Sequence, residues 1–312
     1  LRTTLHEPRF DQDAIDRVRA QVISGLKSDA TDPNSIAGET LSQLVYDDHP
    51  YATEGKGTIA SVAALTREDI AEAKERVFAR DRLYVSAVGD ITAEELGVML
   101  DELLADLPET SVPLPEAANV TIPEGRTVVD FDTPQSVALF VQEGIERDDP
   151  DFFAAYILNH IIGGGSFESR LMTEVREKRG LTYGIYSYLL PKDHAALYMG
   201  SVASSNDRIA ETISVVRDEW RKAAEEGVTA EELEAAKTYL TGAYPLRFDG
   251  NSQIAGIMVG MQMQGLPIDY IATRNDKVNA VTLEEINRVA RELLDPEGLH
   301  FVVVGQPQGL DG

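Results

Sequence analysis

The sequence predicts an α+β protein built from two related copies of one domain, and three observations carry that reading. Residues 62–89 (VAALTREDIAEAKERVFARDRLYVSAVG) match residues 278–305 (VNAVTLEEINRVARELLDPEGLHFVVVG) without a gap at an offset of 216, placing Thr66 on Thr282, Ile70 on Ile286, Leu83 on Leu299 and Gly89 on Gly305. Shorter matches keep the same chain order at an offset of 218: Ile36-Ala37-Gly38 resembles Ile254-Ala255-Gly256, and the helical pattern of residues 13–26 resembles that of 231–244. Apolar residues also recur at helical spacing in some segments and at strand spacing in others. Self-similarity in one fixed order is the mark of a duplicated unit.

Taken in order, the repeated segments each begin with an N-capped helix, because Thr66 and Thr282 have an acidic residue three positions later, and each ends in a buried strand. Between the copies, residues 107–125 carry Pro108, Pro113, Pro115 and Pro123 in a polar setting and read as an extended linker. The predicted boundaries are therefore 1–107 for the C-terminal half of the first domain, 108–124 for the linker and 125–312 for the second domain. The second copy has about a hundred residues before its paired helices and the first only about ten, so the first domain is expected to be truncated at its N-terminus. A sheet lacking several strands leaves an apolar face and an open edge, which domains avoid.

In the second copy, residues 127–131 and 137–141 read as strands, 150–162 as a helix, and 167–178 as a short helix after a glycine turn. Residues 183–190 and 195–202 form a predicted hairpin around Pro191-Lys192-Asp193. Three helices follow, marked by Ile209, Ile213, Val216 and Trp220, by Thr229 with Glu232, and by residues 252–263. The expected architecture is one sheet with helices on one side.

Composition narrows function. With 28 Lys and Arg against 53 Asp and Glu, the net charge of −25 works against nucleic acid and anionic membranes as partners. The absence of cysteine excludes a disulfide framework, an iron–sulfur cluster, a thiolate zinc site and a cysteine nucleophile. No stretch approaches the apolar length that membrane insertion requires.

The most informative stretch is residues 163–188, GGGSFESRLMTEVREKRGLTYGIYSY. Spacing alone makes the glycines a helix end and turn and Leu171 with Val175 an apolar stripe. There is no G-x-G-x-x-G and no Lys-Ser/Thr after the glycines, so phosphate cradling is disfavoured. The run LMTEVREKRGLTYGIYS after GGGS, with paired helices and a final helix and strand behind it, resembles the second domain of pitrilysin-type metallopeptidases, the group of insulinase and mitochondrial processing peptidase. His49-Pro50-Tyr51 also resembles an element of that family, and the resemblance covers essentially the whole chain.

The resemblance implies two processing-peptidase-like domains, each a mostly antiparallel sheet covered by helices, closing around an unfolded peptide. It implies a zinc helix of the form His-x-x-Glu-His in the first domain of an active chain. It also implies an Arg and a Tyr seven residues apart in the second domain, which here fall on Arg176 and Tyr183 as the catalytic pair. Guanidinium and phenol donors suit the oxyanion that forms when water attacks a peptide carbonyl. Strand addition of substrate would involve Phe140 and Val141, or Ile185 and Tyr186.

The five histidines, His6, His49, His160, His194 and His300, form no such zinc motif. The family's third metal ligand aligns with Ser24 or Gly25, and no Glu lies between Glu7 and Glu39. No metal or cofactor is therefore expected in this chain, with zinc implied in a homologous partner subunit of a heterodimer. The expected function is that of the zinc-free subunit of a pitrilysin-like peptidase, inactive alone, binding extended peptide, and periplasmic by resemblance. The alternatives are a non-enzymatic peptide-binding or assembly scaffold and a fragment of a complete zinc endopeptidase.

Overall fold

The structure, a computed structural model, describes residues 1–53 and 55–310, the side chain of Ser166 excepted. Twelve α-helices and five strands are assigned among them. The helices are α1 (Arg2–His6), α2 (Gln12–Asp29), α3 (Pro33–Tyr46), α4 (Ile59–Ala64), α5 (Arg67–Val77), α6 (Ala93–Leu104), α7 (Phe152–Asn159), α8 (Ile209–Glu226), α9 (Ala230–Ala243), α10 (Asn251–Met263), α11 (Tyr270–Ala280) and α12 (Leu283–Leu293). The strands are β1 (Arg126–Asp130), β2 (Gln135–Glu143), β3 (Ile185–Lys192), β4 (Ala195–Ser205) and β5 (His300–Gly305).

Contacts divide the chain into two compact units: residues 1–28, 55–114 and 244–272 in one, and residues 29–54, 115–243 and 273–312 in the other. These units cross the boundaries read from the sequence. Residues 29–54 of the first copy join the second copy's sheet, and residues 244–272 of the second copy join the first copy's helices. The cause for the former is the apolar face of α3, whose Ala37, Leu41, Val45 and Tyr46 bury against Val137, Val141, Leu197, Met199, Val302 and Val304.

The larger unit holds the sheet, in the order β1-β5-β2-β4-β3. The β1–β5 pair is parallel and all other pairs are antiparallel, so the sheet is mixed. One face carries α7, α8, α9 and α12 over a core of Ala138, Phe140, Ile157, Leu171, Ile185, Tyr198, Trp220 and Ile286, all buried. The other face carries α3, where the pattern predicted no helix. Phe140 sits edge-on to Trp220 at 5.6 Å and leans on Phe301 at 5.6 Å. Its ring lies over Gly200, where an added Cβ would stand 1.9 Å from the ring. Replacing Gly200 by Ala is therefore expected to overpack the core and cost about 1–3 kcal/mol, read as a lower denaturation midpoint.

The hairpin differs from its sequence reading in its turn. Pro191 and Lys192 belong to β3, and Asp193 with His194 make the two-residue connection. Ile185 donates its N–H to Met172 Sδ rather than to β4. By the two-residue alternation of an antiparallel ladder, Pro191 also turns its nitrogen away from β4, where it interrupts no ladder bond.

In the smaller unit, Thr66 and Asp69 form the predicted capping box, matched in the larger unit by Thr282 and Glu285. Leu83–Gly89, read as a strand, pairs with no strand among the described residues. The region read as a linker is held in place within each unit: Arg80 N–H donates to Pro108 O, Ala118 N–H to His194 O and Thr121 N–H to Val45 O.

Candidate functional site

The Arg176–Tyr183 segment begins where α7 ends. His160–Gly164 and Met172–Glu177 are both π-helical turns, a widened geometry that recurs at functional sites. Gly163 lets the first of these press on β3, since a Cβ there would meet Ser187 N at 2.9 Å. The second ends at Gly180, whose φ of +61° is the left-handed conformation that stops a helix and turns the chain. Gly180 N–H and Leu181 N–H close that turn on Arg176 O and Val175 O, each at 2.9 Å.

Beyond Gly180 the backbone is pinned on its inner side. Ser204 Oγ donates to Leu181 O at 2.6 Å, and Thr182 Oγ1 donates to Ala203 O at 2.7 Å and accepts from Gly184 N–H. The loop is thus fixed to β4 while Tyr183, at its tip, is 91% exposed. A fixed backbone that holds a phenol out to solvent limits the ordering cost of using it.

The three cations of the R-E-K-R run are not equivalent. Lys178 Nζ and Arg179 Nη1 both bind Glu174, at 2.5 and 2.7 Å, and hold its carboxyl below the usual carboxylate range. Arg176 is left out of this network and makes no ion pair among the described residues. Its guanidinium stacks instead on the exposed ring of Phe167, 4.9 Å from the centroid. A cation held by an aromatic face keeps its hydrogen-bond donors available for an anion.

The predicted strand-addition residues fare differently. Phe140 and Val141 lie in β2, paired on both sides by β5 and β4, and both are 0% exposed, so neither offers an edge. Their apolar character belongs to the core. Strand β3 is at the edge of the sheet, but Ile185 is buried and its outward N–H is used by Met172. Tyr186 is 55% exposed, and Tyr188 shares its face of β3 and is also exposed. Phe167, Glu174 and Tyr188 were missed in the sequence reading; the Glu174–Lys178 spacing of four was the available signal.

Below the site, Arg170 grips Glu232 in a two-pronged pair at 2.7 and 2.7 Å and also donates to Gly227 O, tying this segment to α9. Burial raises the Glu232 pKa, but the bonds from Arg170 and Thr229 outweigh it and leave the value below the usual range. A lowered folded value means stability present above the unfolded carboxylate pKa and lost as pH falls through the folded one. Replacing Glu232 by Gln is expected to cost about 1.5–3 kcal/mol at pH 7. The gap between variant and parent should narrow in melts taken below about pH 4.

The described residues do not fit a zinc site. Among the described residues no group of three His, Asp or Glu side chains stands close enough to hold a metal. Three of the five histidines are engaged elsewhere: His49 contacts Glu116 O and Tyr51 N–H, His160 stacks on Tyr239, and His300 is buried beside Thr127.

Comparison with known proteins gives the family. The family described as peptidase M16 inactive domain matches residues 64–240, more than half of the chain. The chain belongs to that family. Its relatives include a non-peptidase homolog, YmxG, from Helicobacter pylori, 25% identical over 305 residues, covering 97% of this chain and 70% of the relative. Another, named an uncharacterized zinc protease, from Streptomyces coelicolor, is 24% identical and covers 91% of this chain and 63% of the relative. The chain thus spans about two thirds of the length of these relatives. Among solved structures, a peptidase M16 inactive domain from Pseudomonas fluorescens superimposes with a TM-score of 0.87 at 27% identity, covering 98% of this chain and 73% of that one. The relatives of this chain thus include proteins named as zinc proteases and a protein named as a non-peptidase homolog.

Proposed function

We propose that this M16 chain is the zinc-free subunit of a two-chain peptidase, lending Arg176 and Tyr183 to a peptide bond held at a homologous partner's metal. The observation that carries the reading is the asymmetry of the R-E-K-R run: Glu174 pairs with both Lys178 and Arg179, and Arg176 is left on the Phe167 ring. Tyr183 is exposed at the tip of the loop that follows. Together they offer a guanidinium and a phenol to an oxygen on which negative charge develops. Tyr186, with Tyr188, supplies an exposed aromatic strip for an extended peptide. The chain's charge of −25 suits neutral or basic peptides.

The chain is also proposed to be a tandem duplication with its first domain incomplete, supported by the matched capping boxes and offsets. Periplasmic localisation is proposed on family resemblance, to be checked by fractionation of cells producing the native gene product. Purified alone, the chain is expected to hold no stoichiometric zinc by elemental analysis and to cleave no peptide. Mixed with a zinc-bearing M16 homologue, it should restore cleavage. Full activity without the partner would remove the reading. A second reading, an assembly scaffold, is favoured by the Helicobacter relative named a non-peptidase homolog; it predicts a complex whose activity ignores Arg176.

A further inference from the structure

The sheet of the larger unit has two edges, β3 and β1, and only one of them is closed. On β3 the outward positions 185, 187 and 191 are used or blocked: Ile185 N–H is taken by Met172 Sδ, the π-helical turn at Gly163 lies against Ser187 N, and Pro191 has no N–H to offer. Strand β1 has no such cover. Phe301 N–H donates to Gly125 O and Phe131 N–H to Gly305 O, so the odd-numbered residues of this segment face β5. By the alternation of a parallel ladder, residues 126, 128 and 130 turn N–H and C=O away from the sheet. For Val128 and Asp130 these groups meet no partner among the described residues. Val128 is 45% exposed, whereas Val303 beside it on β5 is 0% exposed. An open edge of this kind is a template for another strand.

The residues of the edge, Arg126-Thr127-Val128-Val129-Asp130, indicate which strand it accepts. Its two charges are opposite in sign, exposed, and placed symmetrically about Val128. Laid antiparallel on a copy of itself about Val128, the strand sets Arg126 opposite Asp130 of the second copy at each end and covers Val128 with Val128. Because residue 128 is an outward one, the central pair exchanges both of its N–H···O bonds in that register. A parallel copy in register would instead set like charges side by side, which disfavours it. Both charged side chains are steadied from within the chain, since Arg126 Nη2 donates to Leu310 O and Gln306 Nε2 donates to Asp130 Oδ1. Charge, register and exposure therefore agree on one occupant of the edge, a second copy of the same strand.

We infer that β1 is the contact strand of a homodimer, paired antiparallel with β1 of a second copy about Val128, so that two five-stranded sheets run into one. The contact is a strand pairing closed at each end by an Arg126–Asp130 pair, and its specificity comes from hydrogen bonds and charge. It lies at the edge opposite β3, and the Arg176–Tyr183 segment that leads into β3 takes no part in it. The dimer is independent of the activity proposed above: each copy keeps its own Arg176 and Tyr183.

Sedimentation equilibrium of the 312-residue chain tests it. At about 0.15 M salt, where repulsion between exposed charges more than about 8 Å apart is largely screened, a reversible monomer–dimer equilibrium is expected. Arg126→Asp and Asp130→Arg each set like charges opposite one another at both ends of the pairing, and each should raise the dissociation constant about tenfold or more. An equimolar mixture of the two variants again places Arg on Asp at both ends. With one variant carrying a fluorescent label, the mixture should form mixed dimers about as tightly as the parent chain forms its own. Exchange of the Val128 amide should slow as the parent's concentration rises and stay fast in either variant alone. A parent chain that is monomeric at every concentration overturns the proposal. So does a dimer indifferent to both substitutions, which would use another surface, or a mixture of the variants that fails to pair. Each of these failures leaves the roles of Arg176 and Tyr183 untouched, because the kinetic variants that test those roles do not depend on β1.

Discussion

Replacing Arg176 by Ala in the assembled two-chain enzyme is expected to lower kcat by about 10²–10³, equivalent to about 2.7–4 kcal/mol of transition-state stabilisation, with little change in KM. The split follows from chemistry. A neutral ground-state carbonyl gains little from a guanidinium, and an oxyanion gains much. Tyr183→Phe, which removes only the hydroxyl, should fall in the same direction. The internal controls are Lys178→Ala and Arg179→Ala. Both side chains are bound to Glu174, so neither should change kcat as Arg176→Ala does. An electrostatic role for the whole basic run would make all three alike. Steady-state kinetics of the four variants, each mixed with the same zinc-bearing subunit, separates the cases.

Replacing Trp220 by Ala should cost about 3–5 kcal/mol of stability, enough to unfold a marginal domain. Trp220 is fully buried between Tyr198, at 4.9 Å, and Phe140, at 5.6 Å. Its Nε1–H donates to Gln142 Oε1 at 2.6 Å, and that oxygen also accepts from Asp295 N–H at 3.2 Å. One side chain therefore joins α8 to β2. Truncation opens a cavity among rings that relax poorly and removes one of the two donors to a buried amide. Denaturant titration followed by far-ultraviolet dichroism reads the shift in midpoint. A loss below about 1 kcal/mol would mean that the cavity collapses or fills with water.

The two effects trace back to different kinds of sequence information. The helices of the second copy were legible because caps and apolar periods are local: Thr229 with Glu232 and Thr282 with Glu285 form the bonds their spacing predicts. Strands β2 and β5 were legible as apolar runs, but their order in the sheet was not. Phe140 and Val141 read equally well as an edge or as a centre, since burial on both faces leaves no period to distinguish them. The placement of α3 on the far face of the sheet was invisible for a related reason, because an amphipathic helix does not state which copy it covers.

At the site, Arg176 and Tyr183 were found through resemblance, not spacing. Nothing in R-E-K-R separates its cations until Glu174 is seen to take two of them. Phe167 went unread because its partner lies nine residues along the chain, beyond one helical turn. The pairing of Arg170 with Glu232, 62 residues apart, was likewise beyond any local pattern.

The central claim is that Arg176 and Tyr183 act on the transition state formed at a partner's metal. The most direct measurement is the affinity of the assembled enzyme for a phosphinic peptide that mimics the tetrahedral intermediate, set beside its affinity for the matching uncleaved peptide. In the Arg176→Ala and Tyr183→Phe variants, the mimic should weaken in proportion to the loss in kcat/KM while the uncleaved peptide binds as before. Unchanged affinity for the mimic, or equal weakening of both ligands, would contradict it.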